Sequence, residues 1–183
     1  MTEPQRRSVM DAAAVERTLA RMSREVVERA HGTDRLVLVG IHRRGVDLAH
    51  RVADEISRNE GVRVPTGTLD ITLYRDDLMV VGPRPVVGRT ILPDDGIDDR
   101  IVVIVDDVLY TGRTVRAALD ELADFGRPRR ILLCVLVDRG GRELPIQGDV
   151  VGAKIPVPEG GRVEVLVPAI DGGLGVEVVE GAA

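Results

Sequence analysis

Two rhythms of apolar residues run along the chain. Between residues 11 and 30, Val15, Leu19, Met22 and Val26 recur at spacings of four, three and four, which makes one stripe of an amphipathic helix. Asp11 stands where an N-cap is needed, and the pattern predicts a helix to about Ala30. Arg17, Arg21 and Arg24 fall on roughly the opposite face. Leu36 to Ile41 then reads as a short buried strand, followed by the turn His42-Arg43-Arg44-Gly45. A second helix begins near Val46, turns Val46, Ala49, Val52, Ala53 and Ile56 inward, and stops near Asn59-Glu60-Gly61, where glycine suits a left-handed cap.

Beyond it, Val62 to Leu73 is rich in β-formers, with a break at Pro65. From Arg75 to Arg100 the chain carries three prolines, three glycines and many acids, either a functional lid or an irregular hairpin. Ile101-Val102-Val103-Ile104-Val105 is the clearest element, a run of β-branched residues that suits a central parallel strand covered on both faces. Asp106 to Thr111 forms the following turn, and a helix runs on through Phe125 with Val115, Ala118, Leu119 and Leu122 inward, ended by Gly126 and Pro128. Arg130 to Val137 is another buried strand, and short strands recur at Arg162 to Val167 and Val176 to Val178. Alternation of strand and helix predicts an α/β chain wound on a mostly parallel sheet. With no internal repeat and no linker, residues 1–183 read as one domain.

Composition narrows the class. With one Phe, two Tyr and no Trp, the core is built from Val, Leu, Ile and Ala. The single Cys134 has no partner for an internal disulfide and sits in an apolar run, which predicts a buried, inert thiol. No apolar stretch follows the polar N-terminus as in a signal peptide, and none is long enough to span a membrane. These features fit a cytoplasmic enzyme or regulator. A net charge of −5 argues against nonspecific nucleic-acid binding over the whole surface, though not against a local basic patch.

The candidate chemistry follows the best strand. In open α/β sheets, ligands bind beyond the carboxyl ends of the strands. Asp106 and Asp107 stand there. Two adjacent carboxylates are costly unless sugar hydroxyls or a Mg²⁺ ion compensate them. Thr111-Gly112-Arg113-Thr114 then opens a helix, where backbone N–H groups and threonine hydroxyls form an anion site. A carboxylate pair followed by a phosphate cradle matches a ribose 5-phosphate. The run Val-Val-Ile-Val-Asp-Asp-Val-Leu-Tyr-Thr-Gly-Arg-Thr, from Val102 to Thr114, resembles the phosphoribosyl pyrophosphate (PRPP) motif of type I phosphoribosyltransferases. An acid usual at the position of Tyr110 in the purine enzymes is missing, whereas Asp107 supplies a second acid that plain uracil enzymes lack. Paired Asp followed by Val-Leu-Tyr resembles the PyrR family, pyrimidine operon attenuators that are also uracil phosphoribosyltransferases.

Three further segments carry the resemblance, which reaches from the first helix to about Lys154. Gly40 to Gly45 is similar to the pyrophosphate loop, with Arg43 departing from the pattern while Arg44 and Gly45 keep it. Leu69 to Leu78 resembles the stretch entering a flexible loop, here Tyr74, Arg75 and Asp76, with Asp77 read as a solvated loop acid. Val137-Asp138-Arg139-Gly140-Gly141-Arg142-Glu143-Leu144-Pro145-Ile146 is similar to the segment bordering the uracil pocket, with Gly141 in place of the customary His.

The resemblance implies the type I fold, a central mostly parallel sheet flanked by helices, with a flexible loop and a small C-terminal hood. It also implies that uracil and PRPP give UMP and pyrophosphate. Arg75, Asp106 and Asp107 would be catalytic, Arg75 by stabilising departing pyrophosphate. PRPP would be held by Arg44, Gly45, Asp106, Asp107, Val108, Leu109, Tyr110, Thr111, Gly112, Arg113 and Thr114, and the base by Val137, Asp138 and Arg139. Mg²⁺ would come with PRPP, in reach of Asp106 and Asp107. The family regulates its genes by UMP-dependent binding to a hairpin of the pyrimidine mRNA leader, and the resemblance implies that role here for Arg24 and Arg142, in a homodimer or a higher homo-oligomer. Gln147 and Ala153 stand where cations are usual, and Glu16, Glu25 and Glu28 interrupt the arginine face, so an RNA role stays open. A PRPP sensor with little catalysis, a transferase without RNA binding and a transferase for another base are the alternatives.

Overall fold

In the computed structural model, residues 5–74, 88–158 and 160–180 are described. Five parallel strands make the main sheet, in the order β3 (Thr66–Leu69), β2 (Leu36–Ile41), β4 (Ile101–Leu109), β5 (Arg130–Asp138) and β6 (Val150–Lys154). Helices α1 (Ala12–Ala30) and α2 (Arg44–Glu60) cover one face and α3 (Arg113–Phe125) the other. Strand alternation divides the core accordingly. Leu36, Leu38, Val103, Val105, Leu132 and Cys134 face α1 and α2, while Val37, Val39, Val102, Ile104, Leu133 and Val135 face α3. A small antiparallel sheet of β1 (Arg6–Met10), β8 (Gly175–Val179) and β7 (Arg162–Leu166) forms a hood on the α1 side.

Asp11 caps α1 as expected, its carboxylate accepting from the N–H of Ala14 at 2.7 Å. The stripe Val15, Leu19, Met22, Val26 is buried. Some expectations need correction. Strand β4 does not stop at Val105: pairing with β5 continues to Leu109 opposite Asp138, so the two acids lie within the strand and the turn shortens to residues 110–112. Helix α2 starts at Arg44, two residues early, with Leu48 buried and Val46 only half-buried. Leu119 is 37% exposed, because the buried arc of α3 runs from Ala117 and Glu121 through Ala118 to Leu122 and Val115, leaving Leu119 past its rim. Of Val62 to Leu73 only Thr66–Leu69 is strand, and a 3-10 turn follows at Thr72–Tyr74. Strand β1 was not legible in the alternation.

Candidate functional site

The sheet order brings three strand ends together. Strand β2 pairs with β3 on one side and β4 on the other, and the chain reverses direction across the sheet at this point, where open α/β sheets leave a crevice. Residues Ile41 to Arg43 leave β2, Asp70 to Thr72 leave β3, and Asp106 to Val108 end β4. With Gly88 and Thr114 they line a cavity of about 380 Å³.

Two glycines permit the close approach. A Cβ on Gly40 would lie 2.4 Å from the carbonyl oxygen of Gly45, and one on Gly45 would lie 2.5 Å from that of Val105. The loop 42–45 therefore lies directly on the ends of β2 and β4, with a cis peptide between His42 and Arg43.

Asp106 is 6% exposed. Burial first, and then the neighbouring Asp107 carboxylate, push its carboxyl well above the usual range. The N–H of Asp107 donates to Asp106 Oδ1 at 2.9 Å, and the N–H of Val108 to Asp107 Oδ1 at 2.9 Å. Those bonds orient the pair without neutralising it. Helix α3 begins just beyond, with Gly112 at φ 93° offering no side chain as a cap. Thr111 is anchored through its carbonyl, which accepts from the N–H groups of Glu143 and Leu144 at 3.0 and 3.1 Å, and Arg113 pairs with Glu143 at 2.6 Å.

Sequence reasoning missed Asp70, Thr72, His42 and Arg43 as lining residues. Asp70 is 9% exposed and collects the hydroxyl of Thr72 at 2.5 Å, the N–H of Thr72 at 2.9 Å and the N–H of Gly88. Burial pushes its carboxyl up, but these bonds, with the nearby His42, outweigh burial and hold it below the ordinary value.

The expected residues fall into distinct groups. Asp106, Asp107, Val108 and Thr114 meet in the cavity. Arg44 turns elsewhere: its guanidinium is bidentate on Asp171, at 2.9 Å from Nη2 and 3.2 Å from Nε, tying the loop to α4 (Pro168–Asp171) of the hood. Asp171 also accepts from the N–H of Val167 at 2.9 Å. Arg43, not Arg44, lines the cavity. Tyr110 is 46% exposed, and the Arg139 guanidinium stacks 3.9 Å from its ring centroid. Val137 is buried in the core, and Asp138 is ion-paired to Arg142 at 2.6 Å. Tyr74 donates its hydroxyl to Asp124 of α3. Arg75, Asp76 and Asp77 lie outside the described residues.

Arg142, expected on an RNA surface, is committed inward. Its guanidinium donates to the carbonyls of Ile146 at 2.8 Å and Tyr110 at 2.8 Å and to the Asp138 carboxylate, with longer bonds of 3.4 Å to the carbonyls of Leu109 and Gly140. Arg24 is exposed and borders a groove of about 640 Å³ with Arg21, Arg29, Arg130 and the acids Glu25 and Glu28. Arg21 bonds the carbonyls of Val151 and Gly152 at 3.0 and 2.6 Å, which docks α1 on β6.

Residues 6–164 match the phosphoribosyl transferase domain family. Among solved structures, a hypoxanthine phosphoribosyltransferase from Trypanosoma cruzi is 19% identical and superposes with a TM-score of 0.72 over 94% of both chains. A second hypoxanthine phosphoribosyltransferase, from Staphylococcus aureus, is 18% identical with a TM-score of 0.67, over 93% of this chain and 90% of that one. At these identities the likeness speaks for the fold. A bifunctional protein PyrR from Herpetosiphon aurantiacus is 56% identical over 165 residues, covering 90% of this chain and 92% of the relative. The bifunctional protein PyrR of Thermus thermophilus is 55% identical over 172 residues, 94% of each chain. A type I sheet order, an acid pair ending its central strand and identity above one half over nearly the whole length together make this chain a member of the PyrR family of phosphoribosyltransferases.

Proposed function

We propose that the chain, acting as one domain, is a uracil phosphoribosyltransferase of the regulatory PyrR kind, with PRPP bound in the cavity at the ends of β2, β3 and β4. The observation that carries the reading is the acid pair itself. Asp106 and Asp107 stand side by side in the cavity with Asp106 buried, an arrangement that repels itself until ribose hydroxyls donate to both carboxylates. Thr111 to Thr114, at the start of α3, suit the 5-phosphate.

In the reaction, uracil N1 bonds to ribose C1 as the bond from C1 to the diphosphate oxygen breaks. The electron pair of the breaking bond leaves with diphosphate, and the N1 proton passes to the released diphosphate or to solvent. The chain contributes orientation and charge complementarity rather than a covalent intermediate. Gly45 lets the loop lie on the end of β4, and Arg43 and Arg44 supply positive charge beside the leaving diphosphate once Arg44 parts from Asp171. Arg75 would add to that charge. Asp138 and Arg139, where β5 ends, would border the base, with Val137 packed behind them in the core.

Magnesium fits this donor set: two carboxylates beside a diphosphate are what that ion takes, with the substrate supplying the remaining oxygens. When bound, the ion neutralises diphosphate and makes it a better leaving group. Among the described residues no group of three or more His, Cys, Asp or Glu side chains could hold a metal, so Asp106 and Asp107 would meet it on the substrate. No helix among the described residues is long and apolar enough to cross a membrane.

The regulatory half would be UMP-dependent binding of a pyrimidine leader hairpin by Arg24 and its groove. Arg142, whose N–H groups already have protein acceptors, would support the surface from beneath rather than contact phosphate. Offering PRPP and magnesium with each nucleobase in turn should yield UMP from uracil and little from purines. PRPP binding without turnover would instead indicate a sensor. A filter-binding titration against the organism's own pyrimidine leader, with and without UMP, tests the RNA half; affinity equal to that for an unrelated hairpin would remove it.

A further inference from the structure

Behind the cavity lies a buried acid that the reaction as derived does not use. Glu121 sits on α3, is 4% exposed, and keeps one carboxylate oxygen, Oε2, without a hydrogen-bond partner among the described residues. Its other oxygen accepts the hydroxyl of Thr90. That hydroxyl in turn accepts the N–H of Asp70 at 3.0 Å. A hydroxyl that accepts from a backbone N–H must send its own proton elsewhere, so the bonds run in one direction, from Asp70 N–H to Thr90 to Glu121. At the far end, Asp70 gathers Thr72 and Gly88 with its carboxylate, and all three line the cavity opposite Asp106 and Asp107. The next residue, Ile91, is fixed to β3 by reciprocal backbone bonds with Thr68, at 2.7 and 3.0 Å, which anchors the Thr90 backbone beside it. A second side-chain bond, from the Tyr74 hydroxyl to Asp124, ties α3 to the 3-10 turn that follows Asp70, but it does not reach Asp70 itself.

We propose that Glu121 is a positioning residue for the phosphoribosyl transfer, fixing through the Thr90 hydroxyl the Asp70 wall that faces the substrate. It touches no substrate itself, and the inference rests on reading the cavity as the PRPP site. An acceptor oxygen at position 121 is what the geometry requires, not a negative charge. Burial first, with the Asp70 and Asp124 charges adding to it, raises the Glu121 carboxyl above its ordinary value despite the Thr90 bond. A group inclined to keep its proton beside Asp70 fits the same picture.

Steady-state kinetics on the full chain test this. E121Q keeps an acceptor and should retain the wild-type KM for PRPP. E121L leaves the proton of the half-buried Thr90 hydroxyl without its acceptor and should raise that KM about fivefold to tenfold with kcat changed less, the size of one hydrogen bond. A folded E121L with wild-type KM, or an E121Q as impaired as E121L, would overturn the proposal. Should E121L fail to fold, T90V against T90S decides: a raised KM in T90V that T90S restores supports it, and an unaltered T90V sinks it. If the wild type transfers to no base, the reading of the site fails independently, and the same variants are compared by their Kd for PRPP with magnesium in calorimetry.

Discussion

The two acids at the end of β4 are adjacent in sequence and unequal in their surroundings. Asp106 is buried and pushed up, while Asp107 is half-buried and bonded to the next N–H. Because Asp106 keeps its proton to higher pH folded than unfolded, the unfolded chain loses that proton first. Stability therefore falls as pH rises from the ordinary carboxylate range towards the raised folded value, and levels off above it. Asp106→Asn removes this burden. Its Tm should exceed wild type at neutral pH, at roughly 2–4 °C for each kcal/mol relieved, and converge with it in acid. PRPP binding should be lost in the same variant, a gain in stability against function. In Asp107→Asn the amide oxygen can still accept from Val108, so Tm should hold while calorimetry shows PRPP affinity down by tenfold or more, about 1.4 kcal/mol. Unchanged affinity would detach the acid pair from the substrate. Arg43 and Arg44 show the limit of reading at this scale. Neighbours in a motif, they part in space because Asp171 lies 127 residues away and takes one of them.

At the scale of elements, the site depends on how tightly the N-terminus of α2 sits on β4. A methyl group at position 45 would meet the Val105 carbonyl oxygen, a backbone atom that cannot swing aside. Gly45→Ala should therefore cost about 1–3 kcal/mol, seen as a lower urea midpoint at unchanged slope. It should also weaken PRPP binding, since the loop must lift. Full stability in that variant would mean that the loop is not pinned there. The helix α1 stripe and the β-branched run of β4 were legible because each obeys a single period over several residues. Leu119 misled because four residues fix a face only to within its rim. The end of β4 misled because aspartates are poor strand formers, and it is pairing with β5 that carries them in the ladder.

For the molecule as a whole, Cys134 gives a probe of global unfolding. It lies in the middle of β5 with no exposed surface, and burial pushes its thiol up to about 12. The thiolate needed for alkylation is absent near neutral pH. Native chain should resist iodoacetamide and become labelled in denaturant along the same curve as circular dichroism. Labelling ahead of that curve would reveal a partial opening between β5 and the α1 layer.

The residues alone determined the periodic elements, the α/β class and the acid pair with the turn and helix tip that follow it, because these are local: a strand, a turn and a helix tip are continuous in the chain. Only the tertiary structure decided which other groups face that turn. Asp70, Thr72 and Arg43 arrive from β3 and β2 through the parallel sheet order. Arg142, still half-buried, is held by main-chain carbonyls of residues 109, 110, 140 and 146, and a carbonyl oxygen is carried by every residue and marks none. Side-chain type can announce what chemistry a residue is able to do. Partnership is set by proximity across the fold, which no local pattern encodes.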